Sequence, residues 1–433
     1  MRSDASATPA IAWSAWGFLA FLTVTNLFNI LDRQLLSAMG PLIIDDLELS
    51  YTQFGLLAGP LFIGAYSICA LVLGNLADRL NRPRLIAVGL ALWSGFTALT
   101  GVARDFAQIA AARLVVGVGE AALGPAAISM IADRFPADRR ALATGIYYLG
   151  VPIGASAAFV IAALLAPTHG WRVCFIVLGV IGLLLVPAML LMREVRPAGM
   201  PQDRPSMAAM VADYRRYLGV LKRVPAAVLV LAFIVLTEFA LGAMALAVTY
   251  LVKEQGMALK TASLTIGLVF LSAGIIGNVL GGALGDWAEA RRPGGRLWFL
   301  GLTNLAALPF GLAFLLLPAG QTSILLIGAC VFMLSLVSMM RYGPMFAAVQ
   351  DFAPPTLRAT AIATTLVVMG VLGNSLGPLI AGMIGDAASL RLGLLICLLV
   401  GGCASIPALW AAQRFSADQA RARATWSTAT PPS

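Results

Sequence analysis

The sequence predicts an all-α polytopic membrane protein with twelve transmembrane helices in two six-helix halves. Three observations carry that expectation. Of the 433 residues, 60% are hydrophobic and only 11% charged, against about 25% charged in a soluble domain. Apolar runs near the length needed to cross a bilayer recur twelve times. Short motifs that follow the second and fourth runs return, at the same internal spacing, after the eighth and tenth.

In chain order the runs lie at about 13–38, 53–77, 84–102, 106–131, 141–166, 171–192, 225–252, 262–285, 296–317, 321–349, 358–384 and 390–412. The longest polar stretch, 193–223, is central and rich in Pro, Arg and Met. It reads as a linker carrying an amphipathic helix over about 206–221. The organisation is therefore an N-terminal six-helix half over 1–192, a cytoplasmic linker over 193–224, and a C-terminal six-helix half with a cytoplasmic tail over 225–433. The first seventeen residues lack a basic stretch, a short apolar run and a small-residue cleavage site, so no cleaved signal peptide is expected.

The formal net charge of +9 does not point to nucleic acid, because the basic residues punctuate apolar runs and do not cluster on a polar domain. Their distribution sets orientation. Of the 29 lysines and arginines, 21 fall on one side of the spans and five on the other (Arg104, Arg172, Lys253, Lys260 and Arg391). The remaining three, Arg33, Arg113 and Arg341, lie within spans. This bias places both termini and the linker in the cytoplasm, with the chain multi-pass in a cell membrane, expected to be a bacterial inner membrane. The five cysteines all sit in apolar runs without metal spacing, and the one histidine, His169, cannot build a metal site alone. No Walker motif, nucleotide loop or catalytic constellation is present, so neither an enzyme nor an ATP-driven pump is expected. No metal and no cofactor are expected, the energy source being a proton gradient.

The segment 113–125, RLVVGVGEAALGP, carries Arg113 and Glu120 within the fourth run. They are two helical turns apart, about 10 Å along the axis. A charge at membrane depth costs at least ~2.5 kcal/mol, so both are expected to face protein or a wet cavity. A direct bridge over two turns is strained, and Asp32 in the first span is the expected partner across helices. Gly117, Gly119 and Gly124 thin the helix for close approach. Beside Asp32, Arg33 is expected to pair with a glutamate or an anionic substrate group, because a guanidinium binds two oxygens at once. The plainer reading of both sites is a salt bridge that only fixes packing. In the second half, Glu238 and Arg341 are the clear intramembrane charges. They form either a structural bridge or a second anchor for a headgroup, with Tyr147, Tyr148, Tyr250 and Tyr342 as possible aids. Met333, Met339, Met340, Met345, Phe346 and Phe352 near the tenth span suit an acyl chain and core packing equally. Gly150 and Gly154, four apart in the fifth span, suit close helix packing.

After the second run comes GNLADRLNRPR, with Gly74 and Asp78; after the eighth comes GALGDWAEARR, with Gly282 and Asp286. Pro136 and Arg140 after the fourth run repeat as Pro354 and Arg358 after the tenth. Two six-helix halves repeated in parallel are the pattern of the major facilitator fold. GNLADRLNRPR resembles that superfamily's loop signature through Gly74, Asp78, Arg79, Arg82 and Arg84. It departs at Asn81, where glycine is usual, but Asn also tolerates positive φ. Three further stretches resemble the Spinster family of lipid transporters: NLFNILDRQLLSAMGPLI, RLVVGVGEAALGPAAISMIADRFPADRRALATG and YYLGVPIGASAAFV. The resemblance covers the first half well and is superfamily-level in the second.

The superfamily resemblance implies that Gly74, Asp78, Arg79, Arg82 and Arg84 form a cytoplasmic gate that locks the outward-open state. Asp133 and Arg140 are expected to be partners in it, and Asp286 a weaker counterpart. The Spinster resemblance implies proton coupling through Asp32 and Glu120, substrate response through the neighbouring arginine, and a lysolipid or sphingoid-lipid substrate. The function expected is proton-coupled alternating-access transport of an amphiphilic lipid such as a lysophospholipid. The alternatives are a small organic anion or sugar-like solute, or, in another class, a membrane sensor that does not transport. The expected partners are that substrate and the bilayer, with no nucleic acid, and a monomer is expected.

Overall fold

The computed structural model describes residues 13–195, 207–320 and 323–427, and among them every regular element is helical. Twelve helical runs are long and apolar enough to cross a membrane. They are α1 (Ala15–Ala38), α2 (Tyr51–Gly74), α3 (Arg82–Thr100), α4 (Phe106–Arg134), α5 (Asp138–Leu164) and α6 (Ala166–Leu190), then α7 (Pro225–Lys253), α8 (Leu259–Arg291), α9 (Gly295–Leu316), α10 (Ile324–Asp351), α11 (Pro355–Ala387) and α12 (Leu390–Ala424). Helices are what a bilayer demands, since each backbone amide must be satisfied within its own segment.

All twelve coincide with the expected runs, the largest departure being the last, whose helix continues to Ser427. Its apolar run ends near 412, but Arg414, Asp418 and Arg421 extend it through i,i+3 and i,i+4 pairs. The linker helix covers Met207–Arg223, two residues beyond its expected end. Tyr217 and Val220 anchor it in a core shared with α7, α9, α10, α11 and α12. Burial there pushes the Tyr217 phenol up to about 12.

Hydrophobic burial does not drive helices together in lipid, so close approach rests on small residues. α3 and α4 meet at Gly89 and Gly119, where a Cβ on either would come within 2.6 or 2.9 Å of the other's carbonyl oxygen. α2 meets α11 in the same way, with Gly55 against the backbone of Pro378 and Leu379.

The two sets of six helices are tied at the end opposite the basic residues. Lys253, at the end of α7, pairs with Asp45 between α1 and α2. Asp386, on α11, accepts from the backbone N–H groups of Tyr51 and Thr52 at 2.8 Å each, capping α2. At the basic end the ion pairs of Arg82 reach α4 and Glu194 just beyond α6, and those of Arg296 stay within the last six helices.

Candidate functional site

Asp32 and Arg33 on α1 face Arg113 and Glu120 on α4, and the four charges form two crossed pairs. Arg33 donates to Glu120 Oε2 from Nη2 at 2.9 Å and from Nε at 3.3 Å. Arg113 Nη1 lies 3.6 Å from Asp32 Oδ1. Arg113 thus meets the expected Asp32, whereas Glu120 meets Arg33 and not Asp32. Consecutive residues on a helix diverge by about 100°, so Asp32 and Arg33 reach different turns of α4.

Thr97 on α3 donates to Asp32 Oδ2 at 2.6 Å, a contact that sequence spacing does not reveal. Phe62 and Tyr66 were also missed. Phe62 lies under both guanidiniums, 4.6 Å from Arg113 and 5.2 Å from Arg33, and Tyr66 lies 4.4 Å from Arg33. The available signal was the Pro60 break in α2, with two aromatics four residues apart just beyond it. The chain forms a π-helical turn there, Pro60–Gly64, a distortion often found at functional sites.

The charges differ sharply in access. The side chains of Asp32, Arg113 and Glu120 are at most 2% exposed, but that of Arg33 is 26% exposed. Arg33 is therefore the most accessible of the four charges, and one of that exposure is disfavoured against lipid. Glu120 Oε1, Arg113 Nε and Asn29 Nδ2 are buried without a hydrogen-bond partner. Unmet buried groups cost about 1–3 kcal/mol each, so this centre holds unused capacity for polar contact.

The second half repeats the plan. Arg341 Nη2 on α10 donates to Glu238 Oε1 on α7 at 2.8 Å, and Asn374 Nδ2 on α11 donates to Oε2 at 2.6 Å. In both halves the first and fourth helices supply the pair. α4 breaks immediately after Glu120, and α10 breaks at Arg341. α11 carries its own π-helical turn, Met369–Asn374, at the glutamate. Helix breaks expose backbone polar groups beside the charges, an arrangement tolerated at membrane depth only inside protein or at a cavity.

The family model of the Major Facilitator Superfamily matches residues 22–373.

The chain belongs to the major facilitator superfamily.

It is 31% identical to an MFS-type efflux pump of Mycolicibacterium smegmatis over 392 residues, covering 89% of this chain and 87% of the relative. It is 26% identical over 401 residues to the protein spinster of Drosophila melanogaster, covering 87% of this chain and 63% of that protein's length. Among solved structures it superposes on a bacterial homologue of the human lysosomal transporter Spinster, in an inward-facing and unoccupied conformation. That TM-score is 0.83 at 22% identity, over 94% of this chain and 99% of the other. The protein is a Spinster-like facilitator, a multi-pass membrane transporter.

Of the residues expected to form a cytoplasmic gate, Arg82 makes several contacts among the described residues. It donates to Asp133 at 2.6 Å and Ser129 at 2.7 Å on α4, and to Glu194 at 2.5 Å beyond α6. Glu194 was hidden in the polar linker. Arg140 turns to the Ala132 carbonyl at 2.8 Å, and Arg84 is exposed. A Cβ at Gly74 would meet Pro125 at 3.7 Å. The side chains of Asp78 and Arg79 lie outside the described residues. In the second half Arg296 bridges Asp351 at 2.8 Å and Asp286 at 3.1 Å.

Other expectations divide. Gly117 and Gly119 lie against the neighbouring helices, but Gly124 has open space beside it, so it does not serve approach. Gly150 and Gly154 pack on the α1 backbone as expected. Tyr250 is fully buried, and its hydroxyl donates to the Leu315 carbonyl, a packing role. Tyr147 is buried, Tyr148 is exposed, and Tyr342 lies under the Arg341 guanidinium at 5.0 Å. Met345 and Phe352 belong to the core of the second half, so they line no acyl-chain surface in this state.

Proposed function

We propose that this facilitator carries an amphiphilic lipid, such as a lysophospholipid or sphingoid-like lipid, by proton-coupled alternating access. The observation that carries the reading is the Arg33–Glu120 pair, a part-exposed guanidinium held by a fully buried carboxylate. Protonation of Glu120 removes its Coulomb tie to Arg33 and frees the guanidinium for an anionic headgroup. Return of Arg33 to Glu120 releases both headgroup and proton. Asp32 is the second proton-coupling carboxylate, held by Arg113 and Thr97. Glu238 and Arg341 anchor the opposite wall.

In this reading residues 1–192 and 225–433 are the rocking halves, and 193–224 is the cytoplasmic connection. With the basic end cytoplasmic, the seal formed by Asp45, Lys253 and Asp386 is the outer gate, and the state is inward-facing. The proton gradient alone supplies the energy, and the working unit is a monomer. The resemblance of the motifs around Asp32 and Glu120 to the Spinster family of lipid transporters supports an amphiphile. A small organic anion is the second reading, because a single part-exposed guanidinium equally suits a soluble carboxylate.

Uptake by proteoliposomes under an imposed pH gradient tests both. Lysophospholipid uptake that collapses with the gradient is the expected result. Uptake of a water-soluble anion with none of lysophospholipid assigns the second reading.

A further inference from the structure

A groove of about 470 Å³ opens on the outer surface at the basic end, between the linker helix, α7 and α12. Lys222 and Arg414 supply its charge, and Pro225, Val228, Leu229 and Trp410 supply most of its apolar wall. We propose that this groove binds the headgroup of an anionic phospholipid of the surrounding bilayer.

Its depth in the membrane is set by the helices. Lys222 stands three residues before the start of α7, and Arg414 follows the last apolar turn of α12. Both cations therefore lie where spans meet headgroups, the level at which basic residues snorkel and tryptophan concentrates. Val228 and Trp410 are about half exposed and lie on the outer face of their spans, where acyl chains run.

Charge complementarity selects an anion. Among the described residues no carboxylate lines the groove. The adjacent one, Asp418, is fully buried and committed to the Ala226 N–H at 2.9 Å and to Arg421 at 3.0 Å. Arg414 approaches Asp418 only through Nε at 3.5 Å, and its side chain remains 37% exposed. A soluble anion would leave the apolar wall unused, whereas a phospholipid occupies both parts.

The linker helix extends the same surface. Val211, Arg215, Leu218 and Lys222 are all exposed and recur at i, i+4, i+7 and i+11, forming one mixed apolar and basic stripe that ends at the groove. Such a stripe suits a helix lying along an interface. Because Tyr217 and Val220 fasten the opposite face to the second half, a bound lipid would hold that half and its linker helix to the bilayer. The proposal is independent of the transported substrate.

Native mass spectrometry of the purified protein in micelles doped with palmitoyl-oleoyl phosphatidylglycerol or phosphatidylcholine tests it. Phosphatidylglycerol should remain bound to the wild type and to K260Q, at the opposite end, while phosphatidylcholine is lost. K222Q and R414Q should each lower its affinity by about five-fold, the worth of one basic residue at an anionic surface. V228W, which fills the groove and keeps both cations, should also lose it, with thermal unfolding confirming that each variant is folded. Equal retention of the two lipids, or unchanged phosphatidylglycerol binding in folded K222Q and V228W, overturns the proposal. So does its displacement by inorganic phosphate alone at millimolar concentration.

Discussion

Arg33 and Arg113 are both arginines beside carboxylates in the membrane, yet their surroundings assign them different work. Arg113 is sealed between Asp32 and Phe62, whereas Arg33 keeps a quarter of its side chain open. Arg33→Gln should therefore weaken binding of an anionic substrate by about ten-fold or more, the loss of one charge-assisted bond, as read by isothermal titration. Arg113→Ala should act mainly on stability, because it leaves Asp32 buried without its cation, at a cost of about 3–5 kcal/mol. A large fall in unfolding temperature would report it, and an unchanged one would move Arg113 into substrate contact. Glu120→Gln should keep the fold but leave any residual uptake indifferent to a pH gradient; uptake still driven by the gradient would remove Glu120 from coupling. The four charges were legible in the sequence because each interrupts an apolar run. Thr97, Phe62 and Tyr66 were not, because a threonine or an aromatic in a span carries no such cost and gains its meaning only from what lies across from it.

At the scale of elements, helix ends and breaks organise the function. α2 begins at the end where the halves are tied, where Asp386 from α11 caps its first N–H groups, and it distorts at Pro60–Gly64 beside the first charge centre. α11 distorts beside the second. Asp386→Asn should weaken the cap by about 1 kcal/mol and loosen the proposed outer seal with it. A cysteine placed just inside that seal should then react several-fold faster with a membrane-impermeant maleimide added from the outer side. An unchanged rate would show that α2 and α11 are held by their backbone approach alone. Apart from the far end of α12, span boundaries were legible to within a few residues because hydropathy sets them. The π-helical turns were not, since proline at Pro60 announces a break but not its form, and Met369–Asn374 contains no proline at all.

Across the whole molecule, ion pairs among the described residues join the halves at one end and not at the other, the asymmetry that the proposed alternating access requires. Lys253 and Asp45 join the halves at the first of these ends, while Arg82 and Arg296 each serve their own half. Cross-linking D45C to K253C with a short bifunctional thiol reagent, cleavable by reductant, should stop transport, and cleavage should restore it. Continued transport with the link intact would show that the two ends need not open in turn. The repeat of GNLADRLNRPR as GALGDWAEARR led to two similar halves, and the structure extends that likeness to the charge pairs, Asp32–Arg113 and Glu238–Arg341.

The sequence by itself determined the number of spans, their order and the charges Asp32, Arg33, Arg113, Glu120, Glu238 and Arg341 at membrane depth. Each of these follows from the cost of placing a polar group in hydrocarbon, which acts on one residue at a time. Only the tertiary structure decided which charges pair. Asp32 and Arg33 are adjacent in the chain, and helix geometry sends them to different partners on α4. It also decided that Glu194, from the polar linker, joins the Arg82 hub, and that Lys222 and Arg414, nearly two hundred residues apart, share one groove. Pairing is a property of distances between helices, and those are set by packing that no single stretch of chain contains.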